Sequence, residues 1–217
     1  MASFAALQGG LGMELTKPAL GEAAAPVRHR RSVWIRWRLM QVFAETQFLL
    51  LYLWHRVMGP PRLLRFHNAM NIRLLRAFGA TIGEDARIYS PITVNQDSDD
   101  FRNLTIGDHC ILNGNNFLDL SARITLEDYV SLGPGVIIMT HNRFNRNEFL
   151  EKRLSRMCGC KPVRIGRGAG IKANALILHG VSIGESAVVA GASVVIKDVP
   201  ARTFVSGAPA VARSVLG

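Results

Sequence analysis

From Val163 to Val199 a large aliphatic residue recurs at every sixth position: Ile165, Ile171, Ile177, Ile183, Val189 and Val195. The fifth residue of each unit is small or β-branched, namely Ala169, Ala175, Val181, Ala187, Ser193 and Val199. A period of six is neither helical nor a simple alternation. It predicts a short strand that points one aliphatic inward and then turns, with three such sides closing one triangular coil. Gly166, Gly184 and Gly191 fall at or near the turns, where we expect a residue without a Cβ to take positive φ. The same interval runs upstream through Ile82, Ile88, Val94, Asp100, Ile106, Leu112 and Leu118, broken only by Asp100 within a polar bulge at 95–103. The step from Leu118 to Leu126 is eight, which puts two extra residues into a corner, and Leu126, Leu132 and Ile138 resume the count. The next certain slot is Ile165. The intervening excursion, residues 142–162, is too polar and irregular to be coil, and long loops in compact domains tend to carry function.

Ahead of the repeats the period changes. Leu39, Val42, Phe43, Thr46, Leu49, Leu50, Leu53 and Val57 follow helical three-and-four spacing, and Gly59-Pro60-Pro61 supplies a stop. A second helix is expected after Pro61, with Leu63, Phe66, Met70 and Leu74 on one face. The continuous apolar run Phe48 to Trp54 is seven residues long, against the ~20 that a bilayer span needs. Residues 1–27 are rich in Ala, Gly and Leu without a period, and read as a loosely ordered lead-in lacking the pattern of a secretory leader. The expected organisation is therefore a lead-in (1–27), a basic amphipathic helical segment (28–78), a β-helix domain with its excursion (79–199) and a tail (200–217).

The net charge of +10 raises the question of nucleic acid, so its distribution matters. Between Arg28 and Arg76 ten arginines face the single acid Glu45. No nucleic-acid-reading motif accompanies them, and we expect no such partner. Arginines with Trp34, Trp37 and Trp54 suit a helix lying at an anionic membrane surface. The same stripe equally suits packing on the β-helix or on a second subunit, with the arginines solvated. Three cysteines, two of them in Cys158-Gly159-Cys160, build no even disulfide framework and lack zinc-ligand spacing, which points to a reducing, cytoplasmic compartment, at most peripheral at the inner membrane face.

Between Gly79 and Val211 the hexads resemble those of the hexapeptide-repeat acyltransferases, the sugar and polysaccharide O-acetyltransferases in particular. The resemblance implies an all-β fold, a left-handed parallel β-helix of hexapeptide repeats, here with an N-terminal helical segment. It also implies a homotrimer with sites between subunits, and acetyl-CoA as acyl donor without a metal. In that family a histidine at the mouth of the large loop is the general base, and His141, in Met139-Thr140-His141-Asn142, takes that place. Imidazole can accept and return a proton near neutrality, as an attacking hydroxyl requires. A histidine near a corner also has a purely structural reading. The stretch Leu112-Asn113-Gly114-Asn115-Asn116-Phe117-Leu118-Asp119 is similar to the family's Asn-rich segment and following acid, so Asn113, Asn115 and Asp119 are expected to bind a carbohydrate acceptor or to stabilise an oxyanion. Alternatively these asparagines satisfy turn backbone.

For the phosphates of the donor the resemblance selects Lys197, with Lys172, Ala173 and Arg213 as further coenzyme contacts. Each cation could also be a solvated corner charge. Two departures from the family pattern lie beside the donor groove: His179-Gly180-Val181 where Pro-Gly-Val is common, and Gly170 where an aromatic is frequent. Three rival readings share the fold. They are a serine acetyltransferase, a zinc hydratase resembling the γ-carbonic anhydrases that would need His109, His141 and His179 to converge, and a β-helix scaffold or membrane-associated binding module without coenzyme affinity.

Overall fold

The computed structural model describes residues 28–58, 61, 63–95, 100–142, 148–154 and 158–217. The lead-in, the Gly59-Pro60 stop, the Trp34 and Trp37 side chains and parts of both loop excursions lie outside the described residues. Helix α1 runs Arg28–Met58, and residues 45–217 form one compact unit.

Three parallel sheets build a triangular prism from this repeat. The first face stacks Thr81–Ile82, Leu104–Ile106, Ile124–Leu126, Val163–Ile165 and Ser182–Ile183. The second stacks Arg87–Ile88, Ile111–Leu112, Ser131–Leu132, Gly170–Ile171, Val188–Val189 and Thr203–Ser206. The third stacks Ile92–Asn95, Asn116–Asp119, Ile137–Ile138, Leu176–Ile177 and Val194–Val195. Hexad residues pair one above another: Ile82 with Ile106 and then Leu126, Val94 with Leu118 and then Ile138. Each points inward and is at most 6% exposed. Burying one such side chain stabilises by ~1.5–3 kcal/mol, so the hexad is the unit from which the core is built. At the Asp100 slot the neighbouring Phe101 is buried instead, edge-on to Phe78 at 6.0 Å, and Asp100 pairs with Arg102.

Both ends of the prism are covered, as a solenoid with open strand edges requires. At the first coil Leu63–Leu64 pairs antiparallel with Ile92 and Thr93, and helix α2 (Asn68–Ala77) buries Met70, Leu74 and Leu75. The expected second helix therefore starts later than its apolar spacing suggests. Leu63 and Leu64 are strand because the edge of the third face would otherwise carry unpaired backbone groups. At the last coil Val211–Val215 pairs antiparallel with Thr203–Ser206.

The glycines correct one expectation. None of Gly166, Gly184 and Gly191 has positive φ. That conformation falls two residues after Gly166 and Gly184, at Gly168 and Ser186, and in the same column at Asp85, His109, Tyr129 and Arg202, with φ between 51° and 65°; beside Gly191 it falls on Ala192. Gly166 and Gly184 serve close approach of coils instead. A Cβ at Gly184 would lie 2.3 Å from the Ala201 nitrogen, and one at Gly166 would lie 2.8 Å from the Glu185 nitrogen.

The excursion after Ile138 is more regular than its composition suggests. His141–Asn142 and Gly159–Cys160 form an antiparallel ribbon, with His141 opposite Cys160, and helix α3 (Glu148–Leu154) lies between them.

Candidate active site

Asp119 ends its strand on the third face, one coil before Thr140 and His141. Twenty residues separate Leu118 from its partner Ile138, so the residues just past Ile138 turn the corner directly above Asp119. The carboxylate is wholly buried, whereas the His141 side chain is 21% exposed. Asp119 Oδ2 accepts from the main-chain N–H of Thr140 (2.7 Å) and of His141 (2.9 Å) and lies 2.6 Å from His141 Nδ1. Oδ1 accepts from the Ser121 hydroxyl at 2.7 Å. Thr140 Oγ1 accepts from the Ala122 N–H at 2.8 Å and donates to the main-chain oxygen of Asp119 at 2.7 Å. Burial pushes the Asp119 carboxyl up, but the hydrogen bonds from Ser121, Thr140 and His141 outweigh it and hold the group below the usual carboxylate value.

An ionised carboxylate can only accept, so the proton between Asp119 and His141 belongs to Nδ1. The imidazole tautomer is thereby fixed with its Nε2 lone pair free for a proton. Such an arrangement can accept a proton from a hydroxyl or amine. Ser121 and Thr140, which the residue types alone did not single out, complete the cradle. The pairing of Leu118 with Ile138 brings Asp119 to the corner that carries Thr140 and His141, but the spacing alone does not say which corner residue meets it.

The remaining candidates divide between two edges of the prism. His141 shares its edge, where the third face ends, with His179 and Lys197, which follow Ile177 and Val195 by two residues on the next coils. Lys197 is exposed. His179 has its Nδ1 buried without a hydrogen-bond partner among the described residues. The opposite edge, where the third face begins, carries Asn113, Asn115, Lys172 and Ala173. Asn113 Nδ2 donates to the Leu132 oxygen at 2.9 Å, so its amide is engaged in the ladder between coils. Asn115 turns the corner at φ 64° and donates its N–H to the Pro91 oxygen at 2.6 Å. Ala173 accepts from the Ala192 N–H at 2.9 Å, and Lys172 beside it is exposed. Arg213 joins this edge: its Nε donates to Ser206 at 2.9 Å beside Gly207, whose N–H in turn reaches Ser193. Asn116 is buried with Oδ1 lacking a partner among the described residues.

The two edges are separated by the length of a third-face strand, ~13 Å at about 3.3 Å per residue. One protomer therefore does not bring Asn113, Asn115, Lys172 or Ala173 to His141. His109, stacked on Tyr129 at 4.8 Å, stands on the third edge, so His109, His141 and His179 do not converge. Among the described residues no group of three or more His, Cys, Asp or Glu side chains could hold a metal.

No family model matches the chain. It is similar to a hexapeptide-repeat acetyltransferase of Vibrio cholerae, solved with acetyl coenzyme A. The identity is 32%, over 69% of this chain and 78% of that one, with a TM-score of 0.59. It is also similar to a galactoside acetyltransferase solved with coenzyme A, at 25% identity over 69% of this chain and 71% of that one, TM-score 0.58. Among curated proteins it is 27% identical to the galactoside O-acetyltransferase of Escherichia coli over 63% of this chain and 64% of that protein. Nodulation protein L of Rhizobium meliloti is 39% identical over 51% of this chain and 59% of that protein. The chain thus spans less than two thirds of the length of these curated relatives. With its hexad-built β-helix and this likeness along the coils, the chain belongs to the hexapeptide-repeat acetyltransferases.

Proposed function

We propose that this chain transfers an acetyl group from acetyl-CoA to a hydroxyl of a carbohydrate, a surface polysaccharide or its lipid-linked precursor, inside the cell. The observation that carries the reading is the 2.6 Å contact between buried Asp119 and partly exposed His141. His141 Nε2 takes the proton of the acceptor hydroxyl as its oxygen attacks the thioester carbonyl. The tetrahedral oxyanion then collapses, expelling the coenzyme A thiolate, and the imidazolium returns its proton to that sulfur. Asp119 holds the ring and balances its transient positive charge, as a positioning residue.

Lys197 stands on the catalytic edge, in reach of the same coenzyme. Lys172, Ala173 and Arg213 occupy the other edge, together with Asn113 and Asn115. In a homotrimer closed by three-fold symmetry, the catalytic edge of one protomer faces another edge of its neighbour, and donor and acceptor contacts are shared between subunits. The acetyl-CoA complex of one similar protein supports the donor, and the likeness to a galactoside acetyltransferase solved with coenzyme A supports the carbohydrate class. Three free cysteines accord with a reducing compartment.

The test joins calorimetry to an acceptor screen. Wild type is expected to bind acetyl-CoA saturably, more weakly after Lys197→Ala, and to acetylate a sugar hydroxyl. His141→Ala is expected to keep coenzyme binding and lose ~10²–10⁴ in kcat. Near-normal turnover in His141→Ala would remove His141 from the mechanism. Preference for free serine or an amine over every sugar hydroxyl would replace the acceptor assignment, and absence of coenzyme binding in a folded trimer would favour a scaffold.

A further inference from the structure

We propose that one side of helix α1 seats on an anionic bilayer surface. Within Glu45–Met58 the helix has two apolar sides, and only one is used by the fold. Phe48, Leu51 and Tyr52 pack against the core, where Tyr52 lies 5.7 Å from Phe78 and the Arg73 guanidinium sits 4.1 Å over Phe48. On the other side Leu49, Leu50, Leu53, Trp54 and Val57 are each 51–84% exposed. At 100° per residue Leu49, Leu50 and Val57 fall within about 60° of Leu53, all of them exposed. From Leu49 to Val57 this row is ~12 Å long at 1.5 Å per residue. Five large apolar side chains exposed side by side mark an interaction site. A groove lined by Gln47, Leu50, Leu51, Phe66, His67 and Met70 continues it at Leu50.

Charge selects the occupant. Arg56 is exposed beside the row, and Arg36 and Arg38 of the same helix are exposed. The one acid of α1, Glu45, already accepts from Arg73 at 2.9 Å. The surface is therefore apolar along its centre, cationic at its margins and short of negative charge. A second copy laid on this row would set arginine against arginine, a like-charge juxtaposition that opposes association. Lipid acyl chains beneath anionic headgroups meet both requirements, and an exposed indole such as Trp54 favours the headgroup level. The contact is peripheral, since no described helix is long and apolar enough to cross a membrane. It stands independently of which acceptor is acetylated.

The experiment is flotation of the full-length protein with phosphatidylcholine vesicles, pure or containing about one third phosphatidylglycerol, at low and high salt. Point variants are preferable to truncation, because removing α1 would also strip Phe48, Leu51 and Tyr52 from the core. Wild type is expected to float with the anionic vesicles only, and less so in high salt. Arg36→Gln with Arg38→Gln should weaken binding about 30-fold, roughly a factor of five per charge. Leu53→Glu should abolish it, with circular dichroism and molecular mass unchanged. Failure to float, or equal recovery with neutral vesicles, overturns the proposal. So does a Leu53→Glu variant whose oligomeric mass falls, since the row would then be a contact between copies.

Discussion

Asp119 and His141 are twenty-two residues apart in sequence and 2.6 Å apart in space, because one coil of the prism separates them. The same Asp119 oxygen accepts from the main-chain N–H groups of Thr140 and His141, so it fixes the backbone that carries the imidazole as well as the ring. Asp119→Asn replaces an acceptor-only, charged group by a neutral one with a donor end, so the amide NH2 takes the place either of the oxygen that accepts from Thr140 and His141 or of the one that accepts from Ser121. We expect kcat to fall ~10²–10⁴ with KM for acetyl-CoA within about twofold. A loss confined to KM would show that Asp119 binds substrate, the role that its place after the Asn-rich stretch suggests.

The Asp119 carboxyl is also a stability element with a defined pH window. Its folded-state value lies below that of an unfolded carboxylate, since hydrogen bonds from Ser121, Thr140 and His141 outweigh burial. A lowered value means that the stabilisation is complete above the unfolded value near ~3.9 and is lost as pH falls through the folded one. The gap in urea midpoint between wild type and Asp119→Asn should therefore be present at about pH 5 and close as pH falls below about 4. A gap of equal size at both ends of that range would mean that Asp119 does not ionise in the native state.

The prism is legible in the sequence because the hexad counts a physical unit, one inward aliphatic per side. Ile165 and Ile183 are eighteen residues apart, three sides of six, and the structure pairs them in that register, whereas Ile82 pairs with Ile106, twenty-four residues on, because the stretch around Asp100 lengthens that coil without adding an inward slot. The loop after Ile138 was legible only as an interruption, for two-residue strands such as Gly159–Cys160 carry no period of their own. His141 was found through its context at the mouth of that loop, whereas the place of Asp119 beneath it depends on which residues occupy the corner, which a count of six does not give. The separation of Asn113, Asn115, Lys172 and Ala173 from His141 was likewise hidden. Spacing assigns residues to faces and says little about which edge of the prism a corner residue occupies.

Glycine substitutions distinguish close approach from backbone conformation. Gly184 has an ordinary φ, yet an added Cβ would meet the Ala201 backbone at 2.3 Å. Gly168 has φ +65°, and the nearest atom to an added Cβ is Ser186 Oγ at 3.5 Å. Gly184→Ala must push two coils apart, so we expect a loss of about 3 kcal/mol, the upper end of overpacking. Gly168→Ala meets only the left-handed penalty that Ser186 and Tyr129 already bear in the same column, about 1 kcal/mol. Chemical denaturation of the two variants gives the order directly, and a reversed order would refute the assignment of Gly184 to coil contact.

The division of candidate residues between two edges makes a prediction about mixed oligomers. If His141 of one protomer works with Lys172 of its neighbour, then His141→Ala and Lys172→Glu damage different halves of one shared site. Each variant alone should be deficient, His141→Ala in turnover and Lys172→Glu in activity below saturating acetyl-CoA. When both chains are co-expressed and assemble at random, about a quarter of the sites in a head-to-tail ring receive an intact half from each chain. Activity at low acetyl-CoA should then recover to about a quarter of wild type, although neither parent supplies it. Mixed trimers demonstrated by mass with activity no higher than the parents would place Lys172 outside the site, and leave the catalytic edge of each protomer to work with its own Lys197.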